Sequence, residues 1–204
     1  MAETRDALLV AAATVFERVG YHRATVDQVS ERAGVTKGAL YGHFDSKYAL
    51  AVAVLDEHER ALVRARARMR MAHRHPLQVL VDLGHLYCGQ PAARRMLFEA
   101  PFCDELATER TERWTRMVRD QLHQVRTRGV LRPDVDPLDA ARRIVAALVG
   151  VCLMALVLTR PGDVAARVES LWRAWLPSLV RPEAARTLRL GPPVECRGPA
   201  HPRT

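Results

Sequence analysis

The chain of 204 residues is predicted to be all-α, with about nine helices. Three observations predict it. Hydrophobic residues make up 49% of the chain and aromatics only 5%, with Ala, Leu and Val dominating, a composition that suits helix rather than sheet. Helix starts and stops punctuate the sequence at helical intervals. Neither internal repeats nor alternating strand-like runs are visible.

Thr4 to Val19 reads as the first helix, with Leu8, Leu9, Ala12, Val15, Phe16 and Val19 on one face and Gly20 as its stop. Thr25 is a good N-cap, and Gln28 stands three residues on, where a capping box wants it. Val26, Val29 and Ala33 share a face, and Gly34 can take the left-handed conformation that ends a helix cheaply. Thr36 caps the next helix, which Leu40 and Phe44 anchor at i, i+4. Asp45 or Ser46 caps a fourth helix running to about Met71. After the break at His73-Arg74-His75-Pro76, helices are expected over 77–89, 91–99 and 104–128, the last stopped by Gly129. Asp136-Pro137 is an N-cap followed by Pro at the first helical position, opening a helix to about Thr159. A turn at Pro161-Gly162-Asp163 leads to a last helix over 164–176, stopped near Pro177. From Arg181 five Pro and two Gly point to a loosely ordered tail. The expected domains are 1–47, 48–180 and a tail over 181–204.

Residues 25–44 form a helix-turn-helix pattern, whose second helix enters a major groove by its N-terminal end. Lys37, in the first turn of that helix, can reach a guanine edge or a phosphate. Gly38 costs roughly 1 kcal/mol inside a helix, which makes sense where the backbone must approach a groove closely. Tyr41, His43 and Lys47 carry donors suited to flanking phosphates.

The formal charge is +8, but residues 1–50 hold six basic and six acidic side chains, so the DNA-reading segment is neutral. Overall basicity is therefore weak support for nucleic-acid binding, and the motif carries the argument. Of 31 basic side chains only Lys37 and Lys47 are lysines, and both lie in the motif. Cys88, Cys103, Cys152 and Cys196 show no metal-ligand or disulfide-scaffold spacing, which fits reduced thiols in a cytoplasmic protein. The N-terminal residues do not form an apolar signal segment, and the apolar run Ile144–Leu158 is shorter than a membrane span. Nucleophile elbows, phosphate loops and paired metal-ligand motifs are not seen; the reading is of no enzyme, no metal and no cofactor. A nucleoid-type architectural binder would not need so large an apolar second domain.

Thr4 to Leu55 resembles the N-terminal domain of the TetR family of bacterial repressors, through Ala11–Phe16, Gly20-Tyr21, Thr25-Val26, Ala33–Tyr41, His43-Phe44 and Ser46-Lys47. The resemblance implies DNA contacts from Thr25, Thr36, Lys37, Gly38, Tyr41, His43 and Lys47, with Gly42 a departure from the usual larger residue. It also implies a homodimer closed by the last two long helices, on a palindromic operator. The residues singled out for that interface are Ala146, Gly150, Met154, Trp172 and Trp175. Within that family Trp114, Leu131–Asp136, Val149-Gly150 and Trp172–Pro177 are similar to the γ-butyrolactone autoregulator receptors of actinomycetes, in which the corresponding Trp covers the bound lactone. The expected ligand-lining residues are Trp114, Leu83, Tyr87, Leu97, Phe98, Phe102, Met117, Val118 and Val151. The function implied is a repressor released by a small apolar molecule of γ-butyrolactone type. The alternative is an antibiotic- or multidrug-responsive repressor controlling an exporter or biosynthetic genes.

Overall fold

The computed structural model describes residues 2–72, 75–96, 105–157 and 163–193. Among them ten helices follow in order: α1 Ala2–Val19, α2 Val26–Ala33, α3 Lys37–Tyr41, α4 Lys47–Met71, α5 Pro76–Cys88, α6 Pro91–Met96, α7 Glu105–Thr127, α8 Pro137–Val157, α9 Val164–Leu179 and α10 Pro182–Arg186. The extended pairing found there is a single bridge between Leu131 and Val180. Stops fall where glycine was expected to place them. Gly20, Gly34 and Gly129 all have positive φ, at 81°, 67° and 68°.

The chain divides into two compact units. Unit 1 comprises Met1–Val63 and Gln90–Ala107. Its core is built on Leu8, Ala12, Val15, Phe16, Val29, Leu40, Phe44, Leu50 and Leu55, joined by Ala93 and Met96 of α6, which packs on α1. Burying a side chain of Leu or Phe size contributes about 1.5–3 kcal/mol, so this core holds the short α3 in place although a five-residue helix has little stability alone. The boundary differs from the one expected at 47/48. Leu50, Ala51, Val54 and Leu55 point into the unit 1 core, so the first four turns of α4 belong with it.

Unit 2 comprises Arg64–Gly89 and Thr108–Thr204. At its centre lies α5, which packs on both α8 and α9. This helix is buried on nearly every side: Leu77, Val79, Leu80, Val81, Asp82, Leu83, Gly84, His85 and Cys88 are all inside. α8 instead has two faces. Ala140, Ala141, Ile144, Val145, Leu148 and Cys152 are buried, whereas Leu153, Met154 and Val157 are 44%, 44% and 66% exposed. α8 is the one helix among the described residues that is long and apolar enough to cross a membrane. Its buried face packs against α5 and α9.

Two expectations are corrected at the C-terminal end. α9 does not stop at Pro177 but runs through it to Leu179, with Val180 N–H donating to the Leu176 carbonyl. Pro177 is exposed, so water can satisfy the carbonyl its missing N–H leaves open. The segment over 181–193 is not a loose tail either. α10 is followed by a stretch that hydrogen-bonds to α5.

Candidate functional site

The helix-turn-helix closes through local bonds that its residue types dictate. Thr25 Oγ1 accepts from Gln28 N–H at 3.2 Å while Gln28 Oε1 accepts from Thr25 N–H at 3.1 Å, a complete capping box. Gly34, left-handed, donates its N–H to the Glu31 and Ser30 carbonyls and turns the chain. Thr36 Oγ1 then accepts from Ala39 N–H at 3.2 Å and starts α3. Leu40 is wholly buried, which fixes the rotation of α3 and turns Lys37, Gly38 and Tyr41 outward, Tyr41 being 47% exposed.

Gly38 is informative because the fold does not require it. A Cβ there would meet only Thr36 Oγ1, at 3.9 Å, and its φ is not left-handed. The cost of a helical glycine is thus unexplained by anything among the described residues, which points to a surface brought close from outside. Lys37 Nζ pairs with Asp27 Oδ1 of α2 at 2.9 Å, and that hydrogen bond raises the lysine above its ordinary range. Both partners are mostly exposed, so the pair holds the side chain weakly. His43 is half-buried and rests against the Phe44 ring.

Lys47 departs from expectation. Its ammonium is turned onto the chain's own backbone. It donates to the carbonyls of Tyr21 at 2.9 Å, Ala24 at 3.0 Å and His22 at 3.4 Å, and lies 4.4 Å from the centre of the Tyr21 ring. The carbonyls between α1 and α2 need donors, and a lysine at the start of α4 supplies three of them. The side chain is a staple of the fold.

In unit 2, Trp114 of α7 is 5% exposed and stacks on Tyr87 of α5, with ring centres 4.8 Å apart and planes 12° from parallel. Its indole Nε1 is buried and has no hydrogen-bond partner among the described residues. An unmet buried donor costs about 1–3 kcal/mol. The Tyr87 phenol is pushed up by burial, so it stays protonated, and the thiols of Cys152 and Cys88 are close enough to be felt by it. Both are buried thiols, and Cys88 Sγ donates to the Leu148 carbonyl at 3.7 Å. Both thiols act on the Tyr87 phenol, a convergence that nothing in their sequence spacing announces.

Of the other residues expected to line a ligand site, Leu83 and Val118 are fully buried and Met117 is half-buried. Leu97, Phe98 and Phe102 lie outside the described residues. Val151 is placed elsewhere, beside an open groove of about 450 Å³ on the outer face of α8 and α9. Ala147, Gly150, Met154, Leu171 and Ala174 also line it. Met154 is exposed there, a Cβ on Gly150 would meet nothing within 4 Å, and Ala146 is exposed on the same helix. Trp175 is half-exposed and borders a second cavity, of about 430 Å³, with Asp139, Ala140 and Arg143. Trp172 does not belong to that outer face. It is 1% exposed and packs on α5, where a Cβ at Gly84 would come within 3.0 Å of its Nε1. One turn of helix separates an outward from an inward indole, and the sequence does not say which is which.

A helix-turn-helix on a compact unit, followed in the chain by a larger helical unit, places the protein among helix-turn-helix DNA-binding proteins. The family model for bacterial regulatory proteins of the tetR family matches residues 8–54. Over 187 residues, 88% of this chain, the sequence is 32% identical to the A-factor receptor protein of Streptomyces griseus, of whose length it spans 65%. A solved structure described as the molecular basis for control of antibiotic production by a bacterial hormone superimposes with a TM-score of 0.77 at 31% identity, covering 89% of this chain and all of that one. A γ-butyrolactone receptor described as ArpA-like gives a TM-score of 0.72 at 26% identity, over 91% of this chain and 92% of the other. The chain belongs to the TetR family of bacterial regulatory proteins.

Proposed function

We propose that the protein is a ligand-responsive repressor that binds a palindromic operator as a homodimer and is released by a small apolar molecule of γ-butyrolactone type. The DNA-reading surface is the outward face of α3, with Lys37 at its first turn and Gly38 clearing the way for the groove. Thr25, Thr36, Tyr41 and His43 flank it. Lys47 is withdrawn from the set of contacting side chains, because its ammonium is spent on carbonyls of its own unit. Two copies joined at the outer face of α8 and α9 would present their α3 helices to half-sites about 34–36 Å apart. Three exposed apolar side chains, Leu153, Met154 and Val157, and a glycine open to solvent support that face as the interface.

One observation carries the ligand reading: the Trp114 indole N–H, buried, stacked on Tyr87 and unpartnered among the described residues. A molecule with an apolar body and one well-placed acceptor oxygen, as in a lactone carbonyl, would satisfy it. The ArpA-like protein is described as a γ-butyrolactone receptor, and the Streptomyces griseus relative as the receptor of A-factor. A broad multidrug pocket would not need a single directed donor.

Replacing Trp114 by Phe keeps the stacking area and removes the N–H. It should weaken lactone-induced release from the operator about tenfold, the order expected for one buried hydrogen bond, and leave operator affinity unchanged. Titrating operator-bound protein with a γ-butyrolactone and following fluorescence anisotropy measures both. Release at the wild-type concentration would refute the role of Trp114. Release by unrelated apolar compounds but not by lactones would favour the antibiotic-responsive alternative.

A further inference from the structure

The residues after α10 make an unusual set of bonds with α5. Gln78 clamps the backbone of Arg189 from both sides: its Oε1 accepts from Arg189 N–H at 3.0 Å and its Nε2 donates to Arg189 C=O at 2.9 Å. The Arg189 guanidinium reaches Asp82 Oδ1 at 3.1 Å, a carboxylate whose side chain is fully buried. Gln78 Nε2 lies 3.0 Å from the same oxygen. One turn further, His85 Nε2 is 2.6 Å from the Leu190 carbonyl. That carbonyl can only accept, so the imidazole carries its proton on Nε2. Arg189 also donates to Pro192 C=O at 3.0 Å, which folds the segment back over its own side chain.

Positions 78, 82 and 85 fall on one face of α5 by helical periodicity, roughly opposite Tyr87. That face reads an extended backbone through Gln78, an arginine through Asp82 and the next carbonyl through His85. A buried carboxylate is costly without a partner, and α5 is otherwise apolar on nearly every side. A clamp on N–H and C=O of one residue, together with a buried acid for its side chain, is how a protein recognises a bound peptide.

We infer that the Gln78–Asp82–His85 face of α5 is a recognition site for an extended peptide bearing arginine, and that residues 188–193, Leu-Arg-Leu-Gly-Pro-Pro, are its tethered occupant. Tethering gives the segment a millimolar or higher effective concentration, so the site is filled in the resting chain. Displacing the segment would free the face of α5 opposite Tyr87.

The full-length Arg189→Ala chain should bind a fluorescein-labelled Leu-Arg-Leu-Gly-Pro-Pro peptide, read by anisotropy, at least tenfold more tightly than the wild type, whose site is occupied. The same peptide with Ala for Arg should not bind, nor should the arginine peptide bind an Asp82→Asn/Arg189→Ala chain. Equal binding of both peptides, or no binding to a folded Arg189→Ala chain, would overturn the proposal. If that variant does not fold, hydrogen exchange at the Arg189 amide decides. It should be slow in the wild type and on the order of tenfold or more faster in Gln78→Ala. Equal exchange in the two would show that the segment is not held by the clamp.

Discussion

Replacing Lys47 by Met removes the ammonium and keeps most of the apolar stem over Tyr21. The ammonium makes two good bonds, to Tyr21 C=O at 2.9 Å and Ala24 C=O at 3.0 Å, a longer one to His22 C=O at 3.4 Å, and a cation–π contact. Charge-assisted bonds contribute about 1.5–3 kcal/mol when buried. Lys47 is only half-buried and water can reach part of the site, so about 1 kcal/mol for each good bond is the reasonable figure. The cation–π contact adds about 0.5 kcal/mol. The expected loss is about 2–3 kcal/mol of unit 1 stability, a fall of roughly 10 °C in its melting temperature. Operator binding should weaken evenly across sequences, because the α1–α2 connection that positions the motif loosens. The decisive quantity is the salt dependence. A lysine at a phosphate would, when removed, reduce the slope of log K against log salt by about 0.9. A lysine bonded to its own carbonyls would leave it unchanged. Anisotropy titrations on an operator duplex from 50 to 200 mM salt, with a thermal melt of the free protein, measure both. A slope reduced by about one with an unchanged melt would refute the staple and restore a phosphate contact.

Lys37→Ala should cost about 1–3 kcal/mol on the operator and relax preference at one position of each half-site; an equal loss on all sequences, measured against single-base operator variants, would mean that Lys37 touches only phosphate. Gly150→Arg should leave the fold intact, since a Cβ there meets nothing within 4 Å of it, and should produce monomers that no longer bind the operator. Sedimentation of an undiminished dimer would move the interface away from α8. Burial holds His85 below its ordinary 6.5, and His75 shifts the same way. The unfolded chain therefore takes up protons first as pH falls. Stability should be full above about pH 6.5 and decline below it. Melts at successive pH values check this, and His85→Gln should flatten the decline.

How far the sequence could be read follows the range of the forces involved. Thr25 with Gln28, Thr36 with Ala39, and the left-handed Gly34 and Gly129 are fixed by neighbours three or four positions away. Residue identity is enough to place such bonds, so the helix-turn-helix and most helix ends were legible in the chain alone. The departures all involve partners distant in sequence. Lys47 finds carbonyls 23 to 26 positions earlier, and Trp172 turns inward because Gly84 leaves it room. Arg189 meets Gln78 across 111 positions. Periodicity shows that α5 and α8 are apolar, but not which of the two is enclosed by the other helices and which keeps an open face. Local hydrogen bonds and caps are written in residue order. The burial of a particular face, and the acid, indole or ammonium it encloses, is decided only when separate helices compete for the same apolar surface.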